Sequence, residues 1–206
     1  KRVGVFKPVA SGCTNQYEGL VNADSEFLRR CSGSNFRLDE INPVGFVQPA
    51  APLVCEEFEN RLVDFKKIVE AYGTIAAGSD VMVVEGVGGV RVPISSGVDV
   101  IEMAKWFDMP VVIVTRPDLG TINHTLLTID SVRAAGLKIA GVVISGYDIE
   151  TAGLAEESLP AVLEEWGQVE VLAIVPKDPD SDVEEGKLGE DVVQTLGDVN
   201  WLEVCG

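Results

Sequence analysis

The stretch VMVVEGVGGV, residues 81–90, joins a continuously apolar run to a carboxylate and a set of glycines. A strand that is apolar at every position is typical of a parallel sheet covered on both faces. Glu85 follows this strand directly, and the glycines behind it leave room for another group to approach the backbone. The stretch therefore predicts a carboxylate held at the mouth of a buried sheet.

Apolar runs and helical patterns alternate around this stretch. The other runs that read as strands are 3–9, 110–115, 139–145 and 169–175, and the helical patterns are 62–77, 98–107, 122–135 and 153–166. Such alternation predicts an α/β fold, a doubly wound, mostly parallel sheet with helices on both faces. We expect one domain over residues 1–206, with 11–60 as a long insertion of short elements only and an acidic tail from 177 onward that wraps the surface.

Composition narrows the class of protein. The chain has 206 residues, 46% of them hydrophobic, and a formal net charge of −17, so it lacks the basic footprint of a nucleic-acid-binding protein. No apolar run is long enough to predict a membrane span. The four cysteines form no CxxC pair and there is one histidine, which argues against a zinc site. We therefore expect reduced thiols and a cytoplasmic protein.

Ligands of doubly wound sheets bind at the carboxyl ends of the strands, so these ends hold the candidate site residues. Lys7 ends the first run and is fixed by Pro8, with Ser11 and Gly12 in the turn that follows. A cation in this position can hold an anionic substrate or a phosphate. The alternative is a lysine with a buried stem whose ammonium reaches water.

Two carboxylates are candidate metal ligands. Glu85, at a strand end before glycines, has the arrangement of an acid that orders magnesium near a phosphate, although such glycines also permit tight turns. Asp24 lies in a short helical stretch that Asn22 or Asp24 itself could cap.

The stretch RPDLGTINHTLLTIDSVRAAG, residues 116–136, predicts a helix whose start could bind an anion. Thr121 or Asn123 is expected to cap it, and the free amides from Gly120 to Asn123 lie at the positive end of the helix dipole. His124 is the only histidine, and a lone histidine in a first helical turn is more often structural than a general base.

Four motifs together resemble dethiobiotin synthetase: KPVASG (7–12), NADS (22–25), VEGVGGVRVPI (84–94) and LGTINHTLLTIDSVRAAGLKIAGVVIS (119–145). The resemblance runs from Lys1 to about Pro176. It implies a P-loop NTPase-like fold and a homodimeric, ATP- and Mg²⁺-dependent ligase of biotin biosynthesis. Such an enzyme joins CO2 to 7,8-diaminopelargonate through a carbamate and a carbamic–phosphoric anhydride.

The resemblance also assigns roles to individual residues. Lys7 is the catalytic cation beside the carbamate and the phosphoryl group, Ser11 is catalytic and binds substrate, and Asp24 and Glu85 hold the metal. The remaining roles are substrate binding by Gly88 and, across the dimer, by Leu119, Gly120 and Asn123, and nucleotide binding by Glu85, Ser145, Gly146, Pro176 and Lys177.

Two departures from the family pattern stand out. The 206 residues contain no G-x-x-x-x-G-K-[ST] motif, since the only Gly-Lys pair, Gly186-Lys187, is followed by Leu188. We expect this motif, with the first strand and helix, upstream of Lys1. Ser145 stands where many family members have Asn, so it lacks the amide that both donates and accepts, which puts base preference in doubt.

Two other functions remain open from the sequence. One is a cobyrinic acid amidating relative, although the chain after residue 176 is too short for its amidotransferase domain. The other is a non-catalytic, P-loop-like regulatory domain. A G-x-x-x-x-G-K-[ST] motif upstream would favour the enzyme over the regulatory domain.

Overall fold

The computed structural model describes residues 1–16, 19–204 and 206. The chain divides into two compact units, one of Lys1–Val100 with Val183–Gly186 and the other of Ile101–Asp182 with Lys187–Gly206. Cys13, Cys31 and Cys55 are free thiols, and the fourth cysteine, Cys205, lies outside the described residues. That all 206 residues act as one ligase domain stays a prediction.

The first unit is built around the strand that precedes Lys7. Its elements are β1 (Val3–Phe6), β2 (Val9–Ala10), β3 (Thr14–Gln16), β4 (Gly19–Val21), α1 (Ala23–Ser32), α2 (Leu38–Ile41), β5 (Val44–Gly45), α3 (Pro52–Glu59), α4 (Phe65–Ala77), β6 (Val81–Val84), β7 (Pro93–Ser95) and β8 (Val98–Asp99). Strand β1 pairs in parallel with β6, with Val3 opposite Val81 and Phe6 opposite Val84. The predicted parallel pairing is therefore present beside the site.

The apolar run 3–9 is two strands rather than one. β1 stops at Phe6, and the chain resumes as β2, which pairs in parallel with β5. Pro8 has no amide hydrogen to contribute to a ladder, so the chain changes its pairing partner at Lys7-Pro8. This switch leaves Lys7 between two pairs of strands.

The helices of this unit also differ from the expectation. The pattern 62–77 becomes helical only at Phe65, because Asp64 caps α4 by accepting a hydrogen bond from the Lys67 amide at 3.0 Å. The stretch 11–60 was expected to hold short elements only, but α1 runs for 10 residues. Its start is capped by Asn22, one of the two predicted caps.

The second unit is a three-stranded parallel sheet with helices. Its elements are α5 (Val100–Phe107), β9 (Val111–Thr115), α6 (Thr121–Ala134), β10 (Ile139–Tyr147), α7 (Leu154–Gly167), β11 (Val171–Pro176), α8 (Glu190–Gly197) and α9 (Trp201–Val204). The strand order is β11-β10-β9, with both pairs parallel. The sheet therefore has the α/β character that the apolar runs predict.

Helices pack against both faces of this sheet. Val142 and Ile144 of β10 pack with Ile129 of α6 and with Leu159 and Leu163 of α7. The residue between them, Val143, faces the other side, where Val192 and Leu196 of α8 cover it together with Val199 and Trp201. The prediction of helices on both faces is confirmed here, and part of the acidic tail supplies the second layer.

Among the described residues, the structure contains no helix with the length and apolar character needed to cross a bilayer.

Candidate active site

Lys7 is buried at the carboxyl end of β1. Lys7 is only 3% exposed. The alternative interpretation, a lysine whose ammonium reaches water, is therefore wrong. A lysine carries three donors and no acceptor, and a buried charge is tolerated only when it is paired and hydrogen-bonded. The surroundings of Lys7 must therefore supply acceptors.

Three acceptors surround the Lys7 ammonium. Its Nζ lies 2.7 Å from Glu85 Oε1, 2.8 Å from Asp24 Oδ2 and 3.4 Å from the Gly86 carbonyl oxygen. The side chains of Asp24 and Glu85 are 44% and 45% exposed, so one side of each carboxylate faces solvent. The cluster is a buried cation under two half-open carboxylates, with one negative charge in excess.

Asp24 is placed by the start of α1. The Asn22 side chain accepts a hydrogen bond from the Asp24 amide at 3.0 Å, which fixes the first helical turn. The same Asn22 donates to the Ser11 carbonyl oxygen at 3.3 Å. Asn22 thus links the turn that carries Ser11 to the helix that carries Asp24.

The glycine stretch behind Glu85 forms a tight loop. Gly88 has φ +66°, and a Cβ there would lie 3.0 Å from Val92 Cγ2, so a larger residue would be strained in both respects. A Cβ on Gly86 would meet Val100 at 3.0 Å. Gly88 is exposed, which leaves its backbone open to an approaching molecule. The loop therefore combines a required turn with an accessible surface.

Sequence reasoning missed one residue of this site, Asn42. It is buried between α2 and β5, and its Nδ2 donates to the Lys7 carbonyl oxygen at 2.8 Å. No local pattern in the sequence connects Asn42 with Lys7, which is 35 residues earlier. The pairing of β2 with β5 and the bond from the Lys7 amide to the Ile41 carbonyl oxygen bring the two positions together.

Four of the predicted nucleotide-binding residues lie in the second unit, where the ends of β10 and β11 are adjacent. They are Ser145, Gly146, Pro176 and Lys177. Ser145 lies opposite Val175, Tyr147 lies opposite Pro176, and the Lys177 amide donates to the Tyr147 carbonyl oxygen at 2.8 Å. Gly146, between them, is exposed with φ +82°. The two short segments 145–146 and 176–177 are therefore neighbours in space.

A carboxylate accompanies these strand ends. Lys177 Nζ lies 3.5 Å from Asp148 Oδ2. Desolvation raises the pKa of Asp148, but the Glu150 amide, the Thr151 hydroxyl and Lys177 together outweigh it and hold that pKa below its ordinary value. Asp148 is thus an anion that keeps Lys177 beside the end of β10.

The start of α6 differs from the expectation in its cap. The cap is Gly120, with φ +93°, rather than Thr121 or Asn123, and it makes no side-chain cap hydrogen bond. Thr121 is turned inward at 6% exposure, which removes it from the cap position. Leu119 is 90% exposed, and Asn123 and His124 are exposed as well. The predicted substrate-binding residues at this helix start are accessible.

The structure places the predicted residues in three sets. Lys7, Asp24 and Glu85 share direct contacts, and Ser11 is tied to the start of the Asp24 helix. The other two sets lie in the second unit, one at the adjacent ends of β10 and β11 and one at the start of α6. The described residues contain no cluster of three or more His, Cys, Asp or Glu side chains that could hold a metal, so this part of the chain offers an ion at Lys7 the two carboxylates of Asp24 and Glu85.

Comparison with known proteins gives one family. The profile of the AAA domain matches residues 1–185, in agreement with a P-loop NTPase-like fold. The "ATP-dependent dethiobiotin synthetase BioD" of Methanococcus vannielii is 36% identical over 84% of this chain and 78% of its own length. The protein of the same name from Thermodesulfovibrio yellowstonii is 34% identical over 95% of this chain and 83% of its own length.

Among solved structures, the septum site-determining protein MinD of Pyrococcus horikoshii, complexed with Mg-ADP, is 15% identical with a TM-score of 0.46 over 93% of this chain and 80% of that chain. That similarity is too low to bear on function. The two relatives named above share about a third of their residues with this chain over most of their length. The chain therefore belongs to the dethiobiotin synthetase family.

Proposed function

We propose that this protein is an ATP-dependent dethiobiotin synthetase, a cyclo-ligase that closes a ureido ring on 7,8-diaminopelargonate with CO2. The observation that carries the proposal is the buried Lys7 ammonium between Asp24 and Glu85, at the strand end where this fold binds ligands. Family membership supports the same activity.

The ring-closing reaction needs a cation beside the carbamate and the phosphoryl group. One amine of the substrate attacks CO2 and loses a proton, which gives a carbamate. A carbamate oxygen then takes the γ-phosphoryl group of ATP and releases ADP. The second amine attacks the activated carbon, and phosphate leaves as the ring closes. Negative charge collects on the carbamate and on the transferring phosphoryl group, and Lys7 is the group that would stabilise it there.

The two carboxylates suit magnesium. Mg²⁺ in proteins is held by one or two carboxylates and keeps waters and phosphate oxygens as its other ligands. Asp24 and Glu85 each have a half-exposed side chain, so both can turn an oxygen toward an ion bound with the nucleotide. When bound, the ion would neutralise phosphate charge during transfer. Lys7 keeps both carboxylates oriented toward one point.

Substrate binding is assigned to the turns beside this cluster. Ser11 would hydrogen-bond the amine end of the substrate, and the exposed backbone at Gly88 would lie against its chain. Leu119, Gly120 and Asn123 of the partner subunit in a homodimer would hold its carboxylate, since a helix start is an anion site.

Nucleotide binding is assigned to the neighbouring strand ends of the second unit. Ser145 and Gly146 on β10, Pro176 at the end of β11 and Lys177 after it would contact the base. We further propose that the protein works in the cytoplasm, where its small-molecule substrates are present.

Isotope incorporation tests this function directly. The intact protein is incubated with 7,8-diaminopelargonate, ¹³C-bicarbonate, ATP and Mg²⁺, and the products are measured by mass spectrometry. The proposal predicts dethiobiotin labelled at the ureido carbon, with one phosphate released per ring. Phosphate release without labelled product would refute it.

A further inference from the structure

Asn42 holds the backbone of Lys7 through its side-chain amide. Its Nδ2 donates to the Lys7 carbonyl oxygen at 2.8 Å and to the Val44 carbonyl oxygen at 3.2 Å. Asn42 is 5% exposed and Lys7 is 3% exposed, so water cannot easily replace these bonds. The amide thus joins the end of β1 to the start of β5.

The Lys7 backbone depends on this contact because it takes no part in the hydrogen bonding between β1 and β6. The register of β1 with β6 ends at Phe6 opposite Val84, and the Glu85 amide bonds to the Phe6 carbonyl oxygen. The Lys7 amide instead donates to the Ile41 carbonyl oxygen at 2.8 Å. Both backbone polar groups of Lys7 are therefore bonded to the adjacent residues Ile41 and Asn42.

The orientation of the Asn42 amide follows from its neighbours. Turned the other way, it would place Oδ1 against two carbonyl oxygens, which cannot donate a hydrogen bond. In the orientation seen, Oδ1 is buried and makes no hydrogen bond within the described part of the chain. An unpaired buried acceptor is costly, so what this position requires is the pair of N–H donors.

We propose that Asn42 is a positioning residue for Lys7. It fixes the Lys7 backbone from the side of α2, so that the ammonium stays within bonding distance of Asp24 and Glu85. The catalytic consequence rests on the proposed function, because Lys7 is assigned its role there. The positioning itself is a property of the folded chain and can be measured without turnover.

Amine labelling measures the positioning. Asn42→Leu keeps a similar volume and removes both donors. Pulse acetylation of lysines in the intact protein, with peptide mass spectrometry, should show Lys7 modified about tenfold faster than in the wild type, the factor that corresponds to about 1.4 kcal/mol of lost protection. Asn42→Ser, which keeps one hydroxyl donor, should give an intermediate rate.

The matched control is Trp201→Phe. It also removes one side-chain hydrogen bond to a carbonyl oxygen, from Trp201 Nε1 to Leu196 O at 2.8 Å, but in the second unit. Lys7 labelling should stay at the wild-type rate in this variant. If Lys7 is equally protected in folded Asn42→Ser and in the wild type, the positioning role is wrong. The Asn42→Ser rate decides between these outcomes even if Asn42→Leu does not fold.

A double-mutant cycle then tests the catalytic consequence. Asn42→Ser should lower kcat with little change in KM, and it should have no further effect on kcat in a Lys7→Met background, because its influence passes through Lys7. An equal loss of kcat in both backgrounds would mean a purely structural role. Full activity of Lys7→Met alone would refute the role assigned to Lys7 under the proposed function, while the labelling result would still decide the positioning.

Discussion

The environment of Lys7 sets the chemistry of this protein at the residue scale. Its ammonium is buried, and its three donors meet two carboxylates and a carbonyl oxygen. A cation in such a place is expensive unless it is paired, and its partners keep enough exposure to meet a ligand. The cluster is therefore both satisfied in the free protein and open to an incoming anion and metal.

Lys7→Met separates this role from a structural one. Methionine keeps the buried stem and removes the charge, and Asp24 and Glu85 can be hydrated on their exposed sides. We expect kcat for ring closure to fall about 100- to 1000-fold, the cost of losing one preorganised electrostatic contact. The melting temperature should change by only a few degrees. A large loss of stability with nearly normal turnover would show that Lys7 serves the fold alone.

Gly88 tests the loop behind Glu85. Gly88→Ala places a side chain at φ +66° and within 3.0 Å of Val92, so the free energy of unfolding should fall by about 1–2 kcal/mol. Gly89→Ala is the control, since a Cβ there meets nothing within 4 Å. Denaturant unfolding of both variants measures the difference. Equal stabilities would mean that the loop does not need the left-handed conformation at Gly88.

At the scale of elements, the continuous apolar runs of the sequence predicted the positions of the long strands correctly. The strands β6, β9, β10 and β11 lie where continuous apolar residues predict them. The prediction that such strands are covered on both faces is wrong for two of them, because Val83 of β6 is 46% exposed and Val114 of β9 is 67% exposed. Glu85 could be placed because the carboxyl end of an apolar strand is recognisable in the sequence, although no residue of β6 is fully buried.

Elements that depend on distant partners could not be placed in this way. Asn42 reads as an ordinary residue before Pro43, and its bond to Lys7 depends on tertiary contacts such as the pairing of β2 with β5. Gly120 caps α6 where Thr121 or Asn123 was expected, because Thr121 is drawn into the core. The acidic tail was expected to wrap the surface, but its composition did not show that Val192 and Leu196 of helix α8 pack against β10 and β11.

The ion pair of Arg2 and Asp80 lies just before the paired strands β1 and β6, and its strength depends on pH. Asp80 accepts hydrogen bonds from the Arg2 side chain and backbone amide, and these hold the pKa of Asp80 at about 2, below the ordinary 3.8. Because the folded-state pKa is lowered, the contribution is complete above about pH 4 and is lost as the pH falls toward 2.

Asp80→Asn should therefore lower the melting temperature at neutral pH, and the difference from the wild type should shrink as the pH is taken from 4 to 2. Thermal unfolding of both proteins in matched buffers measures the difference in melting temperature across this pH range. The range follows from the lowered pKa of Asp80. A difference that does not depend on pH would assign the effect of the substitution to packing rather than to the charge of Asp80.

At the scale of the whole molecule, the proposed homodimer shares each substrate between two chains. Lys7 of one chain would act on the diamine, and Asn123 of the other would hold its carboxylate. Mixing Asn123→Asp with Lys7→Met then makes heterodimers with one intact site of two. Random exchange in a two-fold dimer predicts recovery of about a quarter of the wild-type activity. Subunits that exchange without any recovery would mean that each site is built within one chain.

The magnesium dependence of turnover tests whether the cluster around Lys7 is the catalytic centre. Glu85→Gln removes the charge at constant shape, and Glu26→Gln removes a charge from an exposed acid on α1 outside the cluster. Ring closure is measured in the intact protein across a titration of Mg²⁺ at fixed ATP. We expect Glu85→Gln to raise the Mg²⁺ concentration for half-maximal rate and to lower the maximal rate sharply, while Glu26→Gln follows the wild type. An unchanged magnesium requirement in Glu85→Gln would show that this carboxylate does not hold the ion.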